Sequence, residues 1–212
     1  LLALSGPLPA SMAQSLGLAI DDPRWQAATV RWLDDLLTVP LPSACALKQV
    51  AGKDRINELS FLFPLEQVDL RRFNTLLEGA GFRPLAGTAA TLQGLMKGFI
   101  DLVFRHQGRY FLVDWKSNHL GDRVEDYGKD ALLEAMVKNH YVLQYHLYCV
   151  ALDRYLKSRL AGYAYDEHFG GVFYVFLRGV DPDRGPEYGV FRARPDKGVI
   201  EGLSEALMKE GS

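Results

Sequence analysis

"GFIDLVFRHQGRYFLVDWKSN" occupies residues 98–118 of a 212-residue chain. Two apolar runs flank Gln107–Gly108, where glycine supplies the positive φ that a tight turn requires. The stretch therefore reads as a β-hairpin. Closing it at that turn pairs His106 with Arg109, Phe104 with Phe111, and Asp101 with Asp114. Directly opposed residues share a sheet face, with Cβ atoms about 4.5–5.5 Å apart. Lys116 lies two residues beyond Asp114 and is expected on the same face, as are Lys97 and Phe99. Ile100, Leu102, Phe104, Val113 and Trp115 are expected on the other face, as core.

Carboxylates opposed across two strands repel each other and weaken the pairing. A divalent cation removes that repulsion. Hard ions such as Mg²⁺ take carboxylate and carbonyl oxygens and retain several waters. A lysine beside them can orient a water or neutralise charge building on a phosphate. This is the layout of metal-assisted phosphodiester hydrolysis. A single D-x-K is usually a structural ion pair on a solvated sheet face. The second aspartate, in a hairpin otherwise rich in apolar residues, favours the metal reading. A two-carboxylate glycosidase is a further alternative, but it gives Lys116 no role.

Outward from the hairpin, helical spacing over 22–37 (Trp25, Ala28, Trp32, Leu33, Leu36, Leu37) predicts a helix that "TVPLPS" ends. "INELSFLFPL" (56–65) alternates as a strand. A helix is expected from Asp69, as N-cap, to Gly79. Residues 81–91 read as a loop and 119–128 as a polar loop. One long helical pattern covers 129–160, with Leu132, Leu133, Met136, Tyr141, Val150 and Leu156 inward. "GVFYVFL" (171–177) is a continuous strand, 189–194 an edge-like strand, and a last helix starts at Asp196. Mixed strands and helices point to an α/β layer fold around a mixed sheet.

Hydrophobic content of 48% over this length supports one sizeable core. The net charge of −2 gives no global sign of nucleic-acid binding, so any basic surface must be local. Cys45 and Cys149 sit among apolar residues and read as buried hydrophobes, consistent with a reducing compartment. No run reaches the ~18 apolar residues of a membrane span. The apolar start lacks the basic region of a signal peptide. It begins on Leu1, and the chain is read as a piece of something longer.

Gly98, Ile100 and Asp101 followed by Asp114, Trp115 and Lys116 resemble the G-x-I-D and D-[YW]-K segments of the PD-(D/E)XK nucleases. "QYHLY" resembles that family's later Q-x-x-x-Y, and its spacing puts Gln144 and Tyr148 on one helix face. With "HFGGVFYVFLRG" (168–179), the pattern resembles the RecB-type nuclease domain, the C-terminal part of the beta subunit of exonuclease V, the RecBCD helicase-nuclease. The likeness runs from about Leu95 onward and is loose before it.

The resemblance implies an α/β, restriction-endonuclease-like core with a mixed central sheet flanked by helices. It implies one nuclease domain over 1–212, helical over 1–50 and catalytic over 56–212. Asp101 and Asp114 would be metal ligands together with the Trp115 backbone carbonyl, and Lys116 the catalytic lysine. Gln144 and Tyr148 would support the site or the DNA. Glu58 resembles an acidic position before the hairpin; an exposed strand glutamate is the alternative. The implied cofactor is Mg²⁺, as one or two ions. The implied partners are DNA, mainly single-stranded, and the gamma and alpha subunits of a RecBCD-type complex, in the cytoplasm and away from any membrane. The implied activity is hydrolysis of DNA unwound by a helicase motor in double-strand break repair and recombination. A silent docking module with the same fold is the alternative. One feature departs from the pattern: family members carry a further histidine ligand upstream, yet no histidine precedes His106. That ligand is expected outside this chain, so cleavage by this chain alone is expected to be weak or absent. His106, His119, His140, His146 and His168 show no ligand spacing and are read as structural or surface residues.

Overall fold

A computed structural model describes residues 23–79 and 91–207. Five strands form one sheet in sequential order: β1 (Arg55–Asp69), β2 (Thr91–His106), β3 (Arg109–Lys116), β4 (Phe169–Phe176) and β5 (Val190–Ala193). β3 and β4 run parallel, and every other neighbouring pair is antiparallel. A parallel step needs a crossover, usually helical. Here α3 (Lys129–Lys138) and α4 (Tyr141–Arg159) supply it. This is the mixed, helix-flanked α/β sheet of the restriction-endonuclease-like fold.

Each sheet face carries its own core. On one face, Val103, Leu112, Tyr174 and Phe176 pack against α4, α2 (Leu70–Gly79) and α5 (Lys197–Leu207), through side chains such as Val150, Phe73 and Leu203. On the other, Leu102, Phe104, Phe111, Val113 and Phe173 meet Leu36 of α1 (Pro23–Thr38) and Leu41, Leu47 and Val50 after it. Both faces being covered explains why "GVFYVFL" is apolar without alternation, and β4 is buried along its whole length. Asp69 caps α2 as expected, its Oδ1 accepting the N–H groups of Arg71 and Arg72 at 2.9 and 3.3 Å. Cys45 and Cys149 are buried and unbridged.

Three expectations need correction. The helical pattern over 129–160 is not one helix, because His140 takes the left-handed conformation (φ 56°) between α3 and α4. Asn139 closes α3 by donating from Nδ2 to the Ala135 carbonyl at 2.8 Å, a local bond that competes with helix continuation. No glycine or proline marks the break. Leu133, expected inward, is exposed. The expected polar loop over 119–128 contains a short 3₁₀ turn, Val124–Tyr127, that buries Tyr127. The loop expected over 81–91 falls outside the described residues up to Thr91, which opens β2. No helix among the described residues is long and apolar enough to cross a membrane.

Candidate active site

The hairpin has the register read from its turn: His106 pairs with Arg109, Phe104 with Phe111 and Leu102 with Val113. The ladder ends there. One step further, the Asp101 carboxylate stands in for a strand partner: its Oδ2 accepts the Trp115 N–H at 2.9 Å. Glu58 distorts the neighbouring strand at the same level. Asn57 pairs with Leu102 and Leu59 with Ile100, while Glu58, between them, has φ 53°. A non-glycine residue rarely adopts that conformation.

These distortions exchange the faces of the sheet. Ile100 packs in the α4-side core, whereas Leu102, two residues on, packs in the α1-side core. Ile100 therefore does not share a face with Leu102, as strict alternation had implied. Lys97 and Phe99, adjacent to Ile100, then lie on the opposite face from it rather than beside Lys116. Lys97 Nζ sits 5.4 Å from the centre of the exposed Phe99 ring.

Asp114 and Lys116 are both buried. Lys116 Nζ lies 2.6 Å from Asp114 Oδ2 and donates to Gln144 Oε1 at 2.9 Å. The Gln144 oxygen also accepts the Tyr174 hydroxyl at 3.1 Å, and its Nε2 donates to the Tyr148 hydroxyl at 2.9 Å. The ammonium lies over the Tyr141 ring at 3.9 Å and near the Tyr174 ring at 4.9 Å. Such contacts hold a desolvated cation well. The α4 helix thus presents Gln144 and Tyr148 to the hairpin, and both join one polar network around Lys116.

Sequence reading missed Tyr141 and Tyr174. Tyr174 pairs with Asp114 in the β3–β4 ladder. Its hydroxyl is the one side-chain polar group in "GVFYVFL". A buried hydroxyl needs a partner, and that was the available signal. Tyr141 precedes Gln144 by three residues and so shares its helix face; its hydroxyl donates to Asn118 Oδ1 at 3.0 Å.

Burial pushes the Asp114 carboxyl up to about 6. Lys116 opposes the shift and the nearby charge of Asp101 adds to it. The Tyr148 hydroxyl is also pushed up, by burial first and then by Asp114. The Asp101 charge therefore acts on the buried Asp114, which the Lys116 ammonium partly offsets.

Among the described residues, no group of three or more His, Cys, Asp or Glu side chains converges as a metal cluster. The donors near the hairpin are Asp101, Asp114 and main-chain oxygen. The N–H and C=O of one strand residue point the same way. The Trp115 carbonyl therefore lies on the strand edge that faces Asp101. A pair of hard carboxylates, plus a carbonyl, suits a hard divalent cation that keeps waters. Glu58 and Asp101 both line a cleft beside this point. His146 is buried, with Nδ1 2.8 Å from the Val142 carbonyl, and His119 and His168 have local partners, Asp122 and Ala164.

Comparison with known proteins gives a consistent family. The model of the PD-(D/E)XK nuclease superfamily matches residues 21–208. The RecBCD enzyme subunit RecB of Escherichia coli (strain K12) is 39% identical over 209 residues, covering 95% of this chain and 17% of that protein. Its counterpart in Haemophilus influenzae is 40% identical over 196 residues, covering 91% of this chain and 16% of that protein. That of Mycobacterium tuberculosis (strain ATCC 25618 / H37Rv) is 37% identical over 195 residues, covering 79% of this chain and 18% of that protein. The chain spans about a sixth of the length of the curated relatives it matches.

Proposed function

This chain belongs to the PD-(D/E)XK nuclease superfamily, and from that premise we propose that it is the DNA-cleaving domain of a RecB-type subunit. Members of the superfamily generally use divalent metal ions; the reading here is Mg²⁺, as one or two ions. Asp101, Asp114 and the Trp115 carbonyl would hold the ion. When bound, it polarises the scissile phosphate and lowers the pKa of a water.

The observation that carries the reading is the locked position of Lys116. Asp114 and Gln144 take two of the three N–H bonds of its ammonium. A water or a phosphate oxygen would take the third. Tyr141, Tyr148 and Tyr174 restrain the group through Gln144 and through their rings. Preorganised charge of this kind stabilises the charge that develops as water oxygen bonds to phosphorus and one P–O ester bond breaks. The leaving oxygen takes up a proton. Glu58 would support the ion from the cleft side. A fold retained only for docking has no need to bring two aspartates together on a hairpin that also buries an ammonium.

The relatives' names describe a RecBCD enzyme. On that analogy the substrate is DNA, mainly single-stranded, delivered by a helicase motor during double-strand break repair and recombination. The partners are the gamma and alpha subunits of such a complex, in the cytoplasm. The chain is read as one nuclease domain over 1–212.

The test is cleavage of single-stranded DNA with Mg²⁺, Mn²⁺ or Ca²⁺, by the unsubstituted chain and by Asp114→Ala and Lys116→Ala. The expected result is metal-dependent cleavage that falls ~10²–10³-fold or more in each variant. Metal-independent cleavage, or equal cleavage by all three proteins, would overturn the reading.

A further inference from the structure

A cleft of about 380 Å³ opens on the α1 side of the sheet, directly beside Asp101. That volume is in the range of small-ligand pockets, roughly 300–1,000 Å³. Its lining combines the acidic Glu58 and Asp101, the apolar Leu37, Leu47 and Phe104 with the partly exposed Trp115, and the polar Arg55 and Asn57. Arg55 pairs with Phe104 and Asn57 with Leu102 across β1 and β2. Arg55 precedes Glu58 by three residues, roughly 10 Å along β1 at about 3.3 Å per residue.

Arg55 makes no ion pair among the described residues. The adjacent Asp54 carboxylate is taken by Arg105 at 2.6 Å. An uncommitted guanidinium at the rim of an apolar cleft suits a phosphate next to something flat and apolar. The residues that open the cleft are also the ones that interrupt the strands: the left-handed Glu58 and the face exchange between Ile100 and Leu102.

We infer that this cleft accepts one unpaired nucleobase of single-stranded DNA, with the scissile phosphate at the Asp101 end and the next phosphate on Arg55. The inference rests on the nuclease reading for the identity of the ligand. A base in a duplex must first be unpaired and unstacked, at a cost of a few kcal/mol, so a base of an unpaired strand enters far more readily. The cleft therefore selects single-stranded substrate by shape, without reading sequence. Trp115 has a double duty: its side chain lines the cleft, while its backbone N–H donates to the Asp101 carboxylate. A seated base thus bears on the residue that anchors the aspartate.

The test uses Trp115 fluorescence without divalent cation. The chain has three tryptophans, so Trp25→Phe with Trp32→Phe leaves Trp115 alone to report. The probes are a short oligothymidylate, an abasic deoxyribose-phosphate strand of equal length and charge, and a duplex. Oligothymidylate should quench Trp115 saturably and bind about tenfold or more tightly than the abasic strand, the range of base–aromatic stacking. The duplex should not quench. Leu37→Asp, checked for folding by circular dichroism, should reduce oligothymidylate binding to the abasic level. Arg55→Gln, a rim change that keeps the core intact, should weaken both single strands by a similar factor. Equal affinity for the two single strands, an unmoved Trp115 signal, or no effect of Arg55→Gln overturns the inference. Mg²⁺-dependent cleavage is measured separately. Cleavage without base dependence overturns the pocket alone, and base-dependent quenching without cleavage overturns the nuclease reading alone.

Discussion

Lys116 of β3 donates a 2.9 Å hydrogen bond to Gln144 of α4, 28 positions away in sequence and in a different layer. The same Gln144 oxygen accepts the hydroxyl of the fully buried Tyr174. One amide therefore ties the hairpin, the buried strand β4 and the helix together at the candidate catalytic point.

Gln144→Ala should separate positioning from binding. Lys116 keeps Asp114 but loses its second anchor, and the Tyr174 hydroxyl is left buried without an acceptor. An unsatisfied buried donor costs about 1–3 kcal/mol. The expected outcome is destabilisation of that order in urea melts, with the cleavage rate falling about tenfold or more and DNA affinity little changed. Tyr174→Phe should have a smaller effect, because the Lys116–Gln144 bond survives. Equal effects of both changes on rate would show that Gln144 does not act through Lys116.

Lys116→Ala should harm stability as well as activity. It leaves Asp114 buried without its partner, and breaking a buried ion pair costs about 3–5 kcal/mol. Lys116 holds the Asp114 pKa down, so its removal lets that pKa climb above about 6. Protonation then relieves the cost. Lys116→Ala should therefore be much less stable than the unsubstituted chain at pH 8 and closer to it at pH 5. Adding Asp114→Asn to Lys116→Ala should recover most of the loss at pH 8. A pH-independent deficit would contradict the buried pair.

Asp114 and His146 should make opposing contributions to stability against pH. Asp114 is raised from 3.8 to about 6 by burial, so its contribution is fully present below 3.8 and is lost as pH rises through 6. His146 is lowered by burial from 6.5 to about 4, so its contribution is present above 6.5 and is lost as pH falls through 4. At 1.36 kcal/mol per pKa unit, each is worth roughly 3 kcal/mol. They nearly cancel between pH 4 and 6. Asp114→Asn should unmask the histidine, giving a protein that weakens steadily on acidification from pH 6.5. His146→Gln should do the reverse and weaken as pH rises. Denaturant midpoints at pH 4.5 and 7 decide the matter.

Gly98→Ala should disturb the site through a ring. Gly98 pairs with Phe61 across β1 and β2, and a Cβ there would run into the Phe61 ring. That ring stacks on Phe63 at 5.6 Å and meets Tyr148 edge-on at 5.8 Å. Overpacking costs about 1–3 kcal/mol, and the displaced ring presses on Tyr148. Reduced thermal stability and slower cleavage are expected, both relieved by adding Phe61→Leu. Additive rather than compensating effects in that double-mutant cycle would disprove the contact.

The sequence by itself determined the features that depend on near neighbours along the chain. The turn at Gln107–Gly108 set the hairpin register, because pairing is counted outward from a turn of known length. The observed ladder follows that register as far as Leu102 and Val113, one step short of the expected Asp101–Asp114 pair. Helical spacing put Gln144 and Tyr148 on one face, and apolar continuity marked β4 as buried. Tertiary structure decided the rest. The break at His140 has no glycine or proline to announce it. The left-handed Glu58 and the face exchange between Ile100 and Leu102 leave strict alternation intact on paper. Tyr141 and Tyr174 joined the site because burying an ammonium beside a carboxylate requires nearby polar and aromatic groups to replace water. Which side chains can do so depends on how α4 packs across the sheet, and that arrangement is encoded in no single stretch of the chain.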